Sequence, residues 1–309
     1  MHFKKELLVL AVFFTITYSQ AHSQSFSKIY MLHSKEDSLI NAGKYDEALS
    51  ILKRTVKLPT LTAFAELSLI KFYLLKNNKP EAEKHLKLGI SAGLDTDKLN
   101  NEPLVKKFIE RPDFAKVYST YRKVYNAALS CPDERLEIMQ MAERDMFARN
   151  YVGRVNKDII YPIMREVDST NTVEFKQIIS RIGFPGIKAV GIDGVQNAFS
   201  ILLHIFLDGV NDQQDIAYFE PIMKDAVIKG NLEPTMFALI IDRYYSMTFN
   251  YQIYGTYWMP DSATNKRIVT IIKDVNNVDK RRASIYLQPL VNLKSKGYLL
   301  PNGYEYHSN

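Results

Sequence analysis

The sequence predicts a mainly α-helical protein, with N-terminal tetratricopeptide-like helical hairpins followed by a mostly helical domain that carries a small β-hairpin. Three observations lead there. A motif recurs near the start at a spacing of 34 residues. Apolar residues elsewhere recur with the period of a helix. Strand-like alternation is confined to two short stretches, 249–258 and 267–272.

The chain opens with Lys4 and Lys5, the apolar run "LLVLAVFFTITY" at 7–18, and the polar "SQAHSQ". That run is too short to cross a bilayer as a helix but suits the core of a signal peptide. Small residues allow cleavage after Ala21 or after Ser23, so residues 1–23 are read as a signal peptide. The protein is therefore expected to be exported, periplasmic or extracellular, with no membrane span after signal removal. A retained N-terminal anchor is the competing reading. The single cysteine, Cys131, allows no intrachain disulfide, so an exported chain of this kind must rely on its core.

The repeat comes next. "GKYDEALSILKRTV" at 43–56 aligns with "NNKPEAEKHLKLGI" at 77–90, matching Glu47 with Glu81, Ala48 with Ala82, Leu52 with Leu86 and Lys53 with Lys87. The small alanine lets two antiparallel helices approach, and the leucine four residues on fills the space between them. "AGKYDEAL" and the closing Pro59 resemble the turn and end of a tetratricopeptide hairpin; Asn77 and Lys79 depart from that pattern. Segments 28–41 and 62–76 supply the first helices of each pair. Two repeats need support, which the apolar face of 112–129 is expected to give (Phe114, Val117, Tyr118, Tyr121, Val124, Tyr125). The repeat region at 28–129 is read as scaffold first, and otherwise as a surface for a protein or peptide partner.

"SCPDERLE" at 130–137 marks a boundary, because Pro132 suits a first helical turn and Asp133 with Glu134 suits a helix N-terminus. The second domain, 132–305, begins there. A helix to about Asn150 is followed by "DIIYPIMREVD", where Pro162 is expected to break or kink the chain. "NTVEFKQIISRIG" reads as a helix with Asn171 as N-cap and Gly183 as stop. "VQNAFSILLHIFLDG" and "LEPTMFALIIDRYYSM" read as buried helices.

Five pieces of this region resemble the bacterial domain-of-unknown-function family 6624 over residues 138–300. They are "RIGFPGIKAVG" at 181–191, "AFSILLH" at 198–204, "ALIIDR" at 238–243, "QIYGT" at 252–256 and "VDKRRASIYLQPL" at 278–290, in the family's order and spacing. The resemblance implies positions and no activity. This chain departs from the family pattern at Tyr257 and Leu203, where the family has Gln, and at Phe184, where it has Trp. The family's acidic-Gln pair is represented only by "ERD" at 143–145.

Candidate chemistry centres on a few polar residues on apolar helices. His204 shares a helical stripe with Asp208 at i+4, which would orient its imidazole for general-base work or ligand contact; a hydrogen-bonded structural histidine is the plain alternative. Arg243, beside Asp242, requires an anionic partner if buried, either a ligand or a carboxylate such as Asp279. In "FNYQIYGTYW" at 249–258, alternation sends Phe249, Tyr251 and Ile253 to one face and Asn250, Gln252 and Tyr254 to the other. Core packing accounts for the first set. Gln252, Tyr254 and Thr256 remain as candidate ligand contacts, with Arg282 at the edge of the same cleft and Asp208, Asp242 and Asp279 behind it.

No metal is expected, because the six histidines and lone cysteine show no ligand spacing. No cofactor is expected either, since no phosphate-loop, dinucleotide or Gly-x-Ser-x-Gly pattern occurs. The formal charge is +6, and "VKK" at 105–107 and "DKRRA" at 279–283 are short solvated faces, so no nucleic-acid partner is expected. Two functions stand open. One is a binding or assembly module; the other is a metal-independent hydrolase or transferase using His204 as base and Arg243 as anion clamp.

Overall fold

The computed structural model describes residues 36–57, 61–205, 212–260 and 266–305. The signal-peptide expectation, Pro59 and Asp208 lie outside them. The chain divides into two compact units, residues 1–115 and 116–309. That division falls ahead of the 129/132 boundary expected from the sequence.

Unit 1 contains α1 (Glu36–Asn41), α2 (Tyr45–Thr55), α3 (Thr62–Leu75), α4 (Lys79–Ser91), α5 (Thr96–Asn100) and α6 (Pro103–Ile109). The register read from the sequence is visible in burial: Ala48, Ala82, Leu52 and Leu86 are all fully buried. Asn78 caps α4 by accepting from the Glu81 N–H, with Pro80 in the first turn. A polar contact is sealed into the α3–α4 pair, where His85 Nδ1 lies 2.6 Å from Glu66 Oε2 and the imidazole stacks on Tyr73.

α7 (Phe114–Ala127) leads into unit 2, which continues with α8 (Pro132–Arg149), α9 (Lys157–Ile182), α10 (Ile187–Ile205), α11 (Asp212–Ile228) and α12 (Pro234–Phe249). A small sheet follows: β1 (Trp258–Pro260) pairs antiparallel with β2 (Arg267–Val269), and β3 (Tyr298–Leu299) joins β2 in parallel. α13 (Val278–Ser284) and two 3-10 turns lie between β2 and β3. The fold is thus mainly helical with a small hairpin, as the periodicity predicted. Among the described residues no helix is long and apolar enough to cross a membrane.

The core of unit 2 is apolar and continuous, with Phe175, Phe219 and Phe237 fully buried against residues of α8 and α10–α12. Each such ring contributes about 1.5–3 kcal/mol over an exposed one. Pro132 and Pro234 take first-turn positions, as their missing N–H allows.

Two sequence expectations are corrected in α9. It runs through Pro162 without a break, because that proline lies on an exposed face one turn in, where solvent can take the carbonyl it leaves unpaired. Asn171 is therefore not an N-cap but a mid-helix residue, 1% exposed; the cap is Asn156, which accepts from the Asp158 N–H. Gly183 does end the helix, at φ 71°.

α10 is interrupted at Gly191, whose φ of 79° and ψ of 171° only glycine adopts readily. Tyr125 of α7 fits against this break. Its hydroxyl accepts from the Ile192 N–H at 2.7 Å and donates to Asp193 at 3.2 Å. Arg122 and Arg135 also grip Asp193. Burial alone would raise the Asp193 carboxyl, but the two guanidiniums outweigh it and hold the group below its ordinary value.

A methyl group on Gly191 would sit 2.0 Å from the Tyr125 hydroxyl oxygen. Gly191→Ala is accordingly expected to cost about 2 kcal/mol or more, from backbone strain and loss of the Tyr125 contact. Calorimetric melting should show the unit 2 transition displaced downward; an unchanged transition would mean the kink is not constrained.

Candidate functional site

Within unit 2 the sequence-predicted residues fall into two hydrogen-bonded groups. The first is the segment after α12. There Asp242, fully buried, accepts the Ile253 and Tyr254 N–H groups at 2.7 Å each through Oδ1. Its Oδ2 accepts the Thr256 N–H at 2.8 Å and the Thr256 hydroxyl at 2.7 Å. Burial pushes this carboxyl above its ordinary value, more than the four donors pull it down. Asp242 is thus the template of the loop and not the partner of Arg243.

Gln252 completes the turn. Its Oε1 accepts the Tyr257 N–H at 2.6 Å, and its Nε2 donates to the Tyr257 carbonyl at 3.0 Å and to Thr270 at 2.5 Å. Gln252 is fully buried and Tyr254 is 5% exposed, while Phe249 is 48% exposed. The alternation expected from the sequence is therefore inverted. The physical reason is that 249–257 is not a strand: Phe249 ends α12, Asn250 is left-handed, and the backbone then folds around Asp242.

The arginines near this loop hold backbone. Arg282 donates to the Tyr254 and Gln288 carbonyls at 2.6 Å each; burial lowers its guanidinium, with Asp279 and Asp242 opposing. Asp279 accepts from the Leu290 N–H at 2.7 Å and the Tyr304 hydroxyl at 2.6 Å. Arg243 reaches the Tyr257 hydroxyl, yet its Nε is buried with no hydrogen-bond partner.

His204 belongs to the second group. Its Nδ1 lies 2.8 Å from Oδ2 of Asp145, whose side chain is 1% exposed. The other Asp145 oxygen takes Arg149, one helical turn on, and Arg149 Nη2 reaches both oxygens of Asp168 at 2.9 and 3.0 Å. α8, α9 and α10 thereby share one charged chain, Asp168–Arg149–Asp145–His204. The His204 side chain is 18% exposed. A carboxylate on Nδ1 fixes the ring's orientation, an arrangement that general bases and ligand-binding histidines use.

Beside it, Asn171 accepts from Arg144 at 2.7 Å, and Arg144 also pairs with Glu174 at 2.6 Å. Asp145, Arg149 and Asp168 were missed by sequence reasoning. A signal existed, since Asp145 and Arg149 are four apart, and Asp168 and Asn171 fall on the buried stripe of α9 with Phe175 and Ile178. Splitting α9 at Asn171 concealed it.

No hydrogen bond or ion pair among the described residues joins His204 to Arg243, Gln252, Tyr254 or Thr256. A cleft of about 480 Å³ lies elsewhere, lined by Ile179, Ile182, Phe184, Pro221, Ile222 and Ala226, with the Asp225–Lys229 pair alongside. No group of His, Cys, Asp and Glu among the described residues could hold a metal ion.

Removing Arg149 would leave two buried carboxylates facing each other. Arg149→Ala is therefore expected to cost about 3–5 kcal/mol, read from urea unfolding of unit 2. Arg149→Ala combined with Asp145→Asn and Asp168→Asn should recover part of that loss. A single-variant cost under about 1 kcal/mol would mean the network is solvated.

Searches of curated proteins and of solved structures return no match. Residues 132–304, more than half of the chain, match the model of a family of unknown function, DUF6624. The matched span contains Asp145, Arg149, Asp168 and His204 as well as the loop built on Asp242. By that match the chain belongs to the DUF6624 family.

Proposed function

We propose that this is an exported binding or assembly protein, its N-terminal hairpins contacting a protein or peptide partner and its DUF6624 unit serving as a second binding module. The observation that carries this reading is where the polar groups point. Asp242, Gln252, Asp279 and Arg282 are engaged by the chain's own backbone and hydroxyls. Unit 2 also leaves several large apolar side chains toward solvent. Around the α8–α9 connection, Met146 is 50% exposed, Phe147 67%, Val152 45% and Ile159 57%. Exposed apolar groups gathered at one end of a helix pair are characteristic of contact surfaces. In unit 1, Leu75 and Leu88 are similarly exposed.

Photo-crosslinking residues placed at Leu88 and at Phe147 test this in producing cells. Discrete heavier adducts are expected from both positions, and from neither when the probe replaces fully buried Leu86. Absence of adducts at Leu88 and Phe147 alike would overturn the reading.

A second reading is favoured by one specific observation, the Asp145–His204 pair. It is a metal-independent hydrolase or transferase in which His204 is the base and Arg243 the anion clamp. The purified protein would then turn over an activated ester or phosphoester, and His204→Gln would lower the rate at least about 100-fold. Equal rates in both proteins would exclude it.

A further inference from the structure

The end of α12 builds a surface that neither polar network uses. Asn250, at φ 59° and ψ 30°, reverses the chain there, its N–H donating to the Ser246 carbonyl at 3.1 Å. Tyr251 is thereby laid back beside the last turn of the helix. Tyr245, Phe249 and Tyr251 then form a near-equilateral triangle of rings. Their centroids are 5.8, 5.7 and 5.8 Å apart, with ring planes 34°, 26° and 17° from parallel.

This shared orientation has a cause. Tyr244, 2% exposed, meets Tyr245 and Phe249 edge-on, at 5.1 and 6.1 Å and 81° in each case. Edge-to-face contact from a buried ring fixes the two outer rings. On the third ring, the Lys273 ammonium lies 5.1 Å from the Tyr251 centroid and 3.4 Å from its hydroxyl. Phe249 is nevertheless 48% exposed and the adjacent Met247 67%. Rings that only filled a core would be covered.

Near-parallel rings, with Phe249 exposed and Tyr245 and Tyr251 half-buried, suit a ligand with a flat apolar face and a polar rim. Two ligand classes have that shape: a pyranose, through its C–H face, and a nucleobase. The charges discriminate between them. Single-stranded nucleic acid needs a basic track along its phosphates. Here Lys273 is the cation at the rings, and the Glu220 carboxyl of α11 acts electrostatically on both Tyr245 and Tyr254. An acid and a base together repel no neutral ligand and can accept from and donate to hydroxyls.

We propose that the Tyr245–Phe249–Tyr251 surface is a platform for a neutral glycan chain, whose pyranose C–H faces stack on the rings while its hydroxyls face Lys273 and Glu220. The assignment is independent of His204 and of the partner surfaces above.

Affinity electrophoresis of the full-length protein tests it, in native gels containing hydroxyethylcellulose, arabinoxylan or glycol chitin. Retardation is expected in at least one gel. Loss of a ring in Phe249→Ala or Tyr251→Ala should raise Kd by about threefold to tenfold, while Phe249→Tyr should bind as the parent does. Phe249 is exposed, so Phe249→Ala decides the matter even if Tyr251→Ala fails to fold; circular dichroism reports on both. Unretarded migration in all three gels overturns the proposal. So does equal retardation of the parent and Phe249→Ala. Tighter binding of a fluorescent oligothymidylate than of any glycan also overturns it, in favour of base stacking.

Discussion

A carboxylate placed in an apolar interior must be supplied with donors or a cation by the chain itself, because water is absent and an uncompensated charge is too costly to keep. Asp145 and Asp242 are both essentially sealed. Asp145 is met by side chains, Arg149 and His204, and Arg149 in turn binds Asp168. Because these residues come from α8, α9 and α10, the register of three helices is tied to one charge sequence. A slip of one residue along α9 would rotate Asp168 away and strand Arg149 with a single acid.

Asp242 is met by backbone instead. Three N–H groups and one hydroxyl of 253–256 converge on it, so the loop's path is dictated by where the two carboxylate oxygens lie. Gly255, at φ 74°, lets the chain close around that point, where an added Cβ would meet Ile272 at 2.6 Å. Arg281 and Arg282 bind the carbonyls of the same loop from the other side. The residues "QIYGT" at 252–256 therefore build a tight turn, and the rings just before them are carried to the surface by it.

Much of the fold was legible. Amphipathic periodicity located the helices, Pro132 and Pro234 marked their starts, and Gly183 marked an end, because each depends on local backbone geometry. The site was legible only in part. His204, Arg243 and the loop polar groups stood out as costly residues on apolar segments. Their partners did not, since the aspartate facing His204 is 59 residues away. Asn171 and Pro162 misled because the same residue types that cap or break an isolated helix are tolerated within one held by tertiary packing. The alternating rings of 249–258 misled for a related reason: period-2 spacing reads as a strand unless something long-range, here Asp242, bends the backbone.

By itself the sequence determined the helical class, the paired hairpins near the start, the presence of a small β-hairpin and the family of residues 132–304, all of which follow from patterns within a few turns of chain or from motif order. The tertiary structure alone decided which acid serves which base, that Asp242 organises a loop, and that Phe249 faces solvent while Gln252 does not. Those outcomes depend on the low-dielectric interior, where a buried charge takes whichever partner the packed helices bring within about 3 Å, and sequence distance carries no information about that.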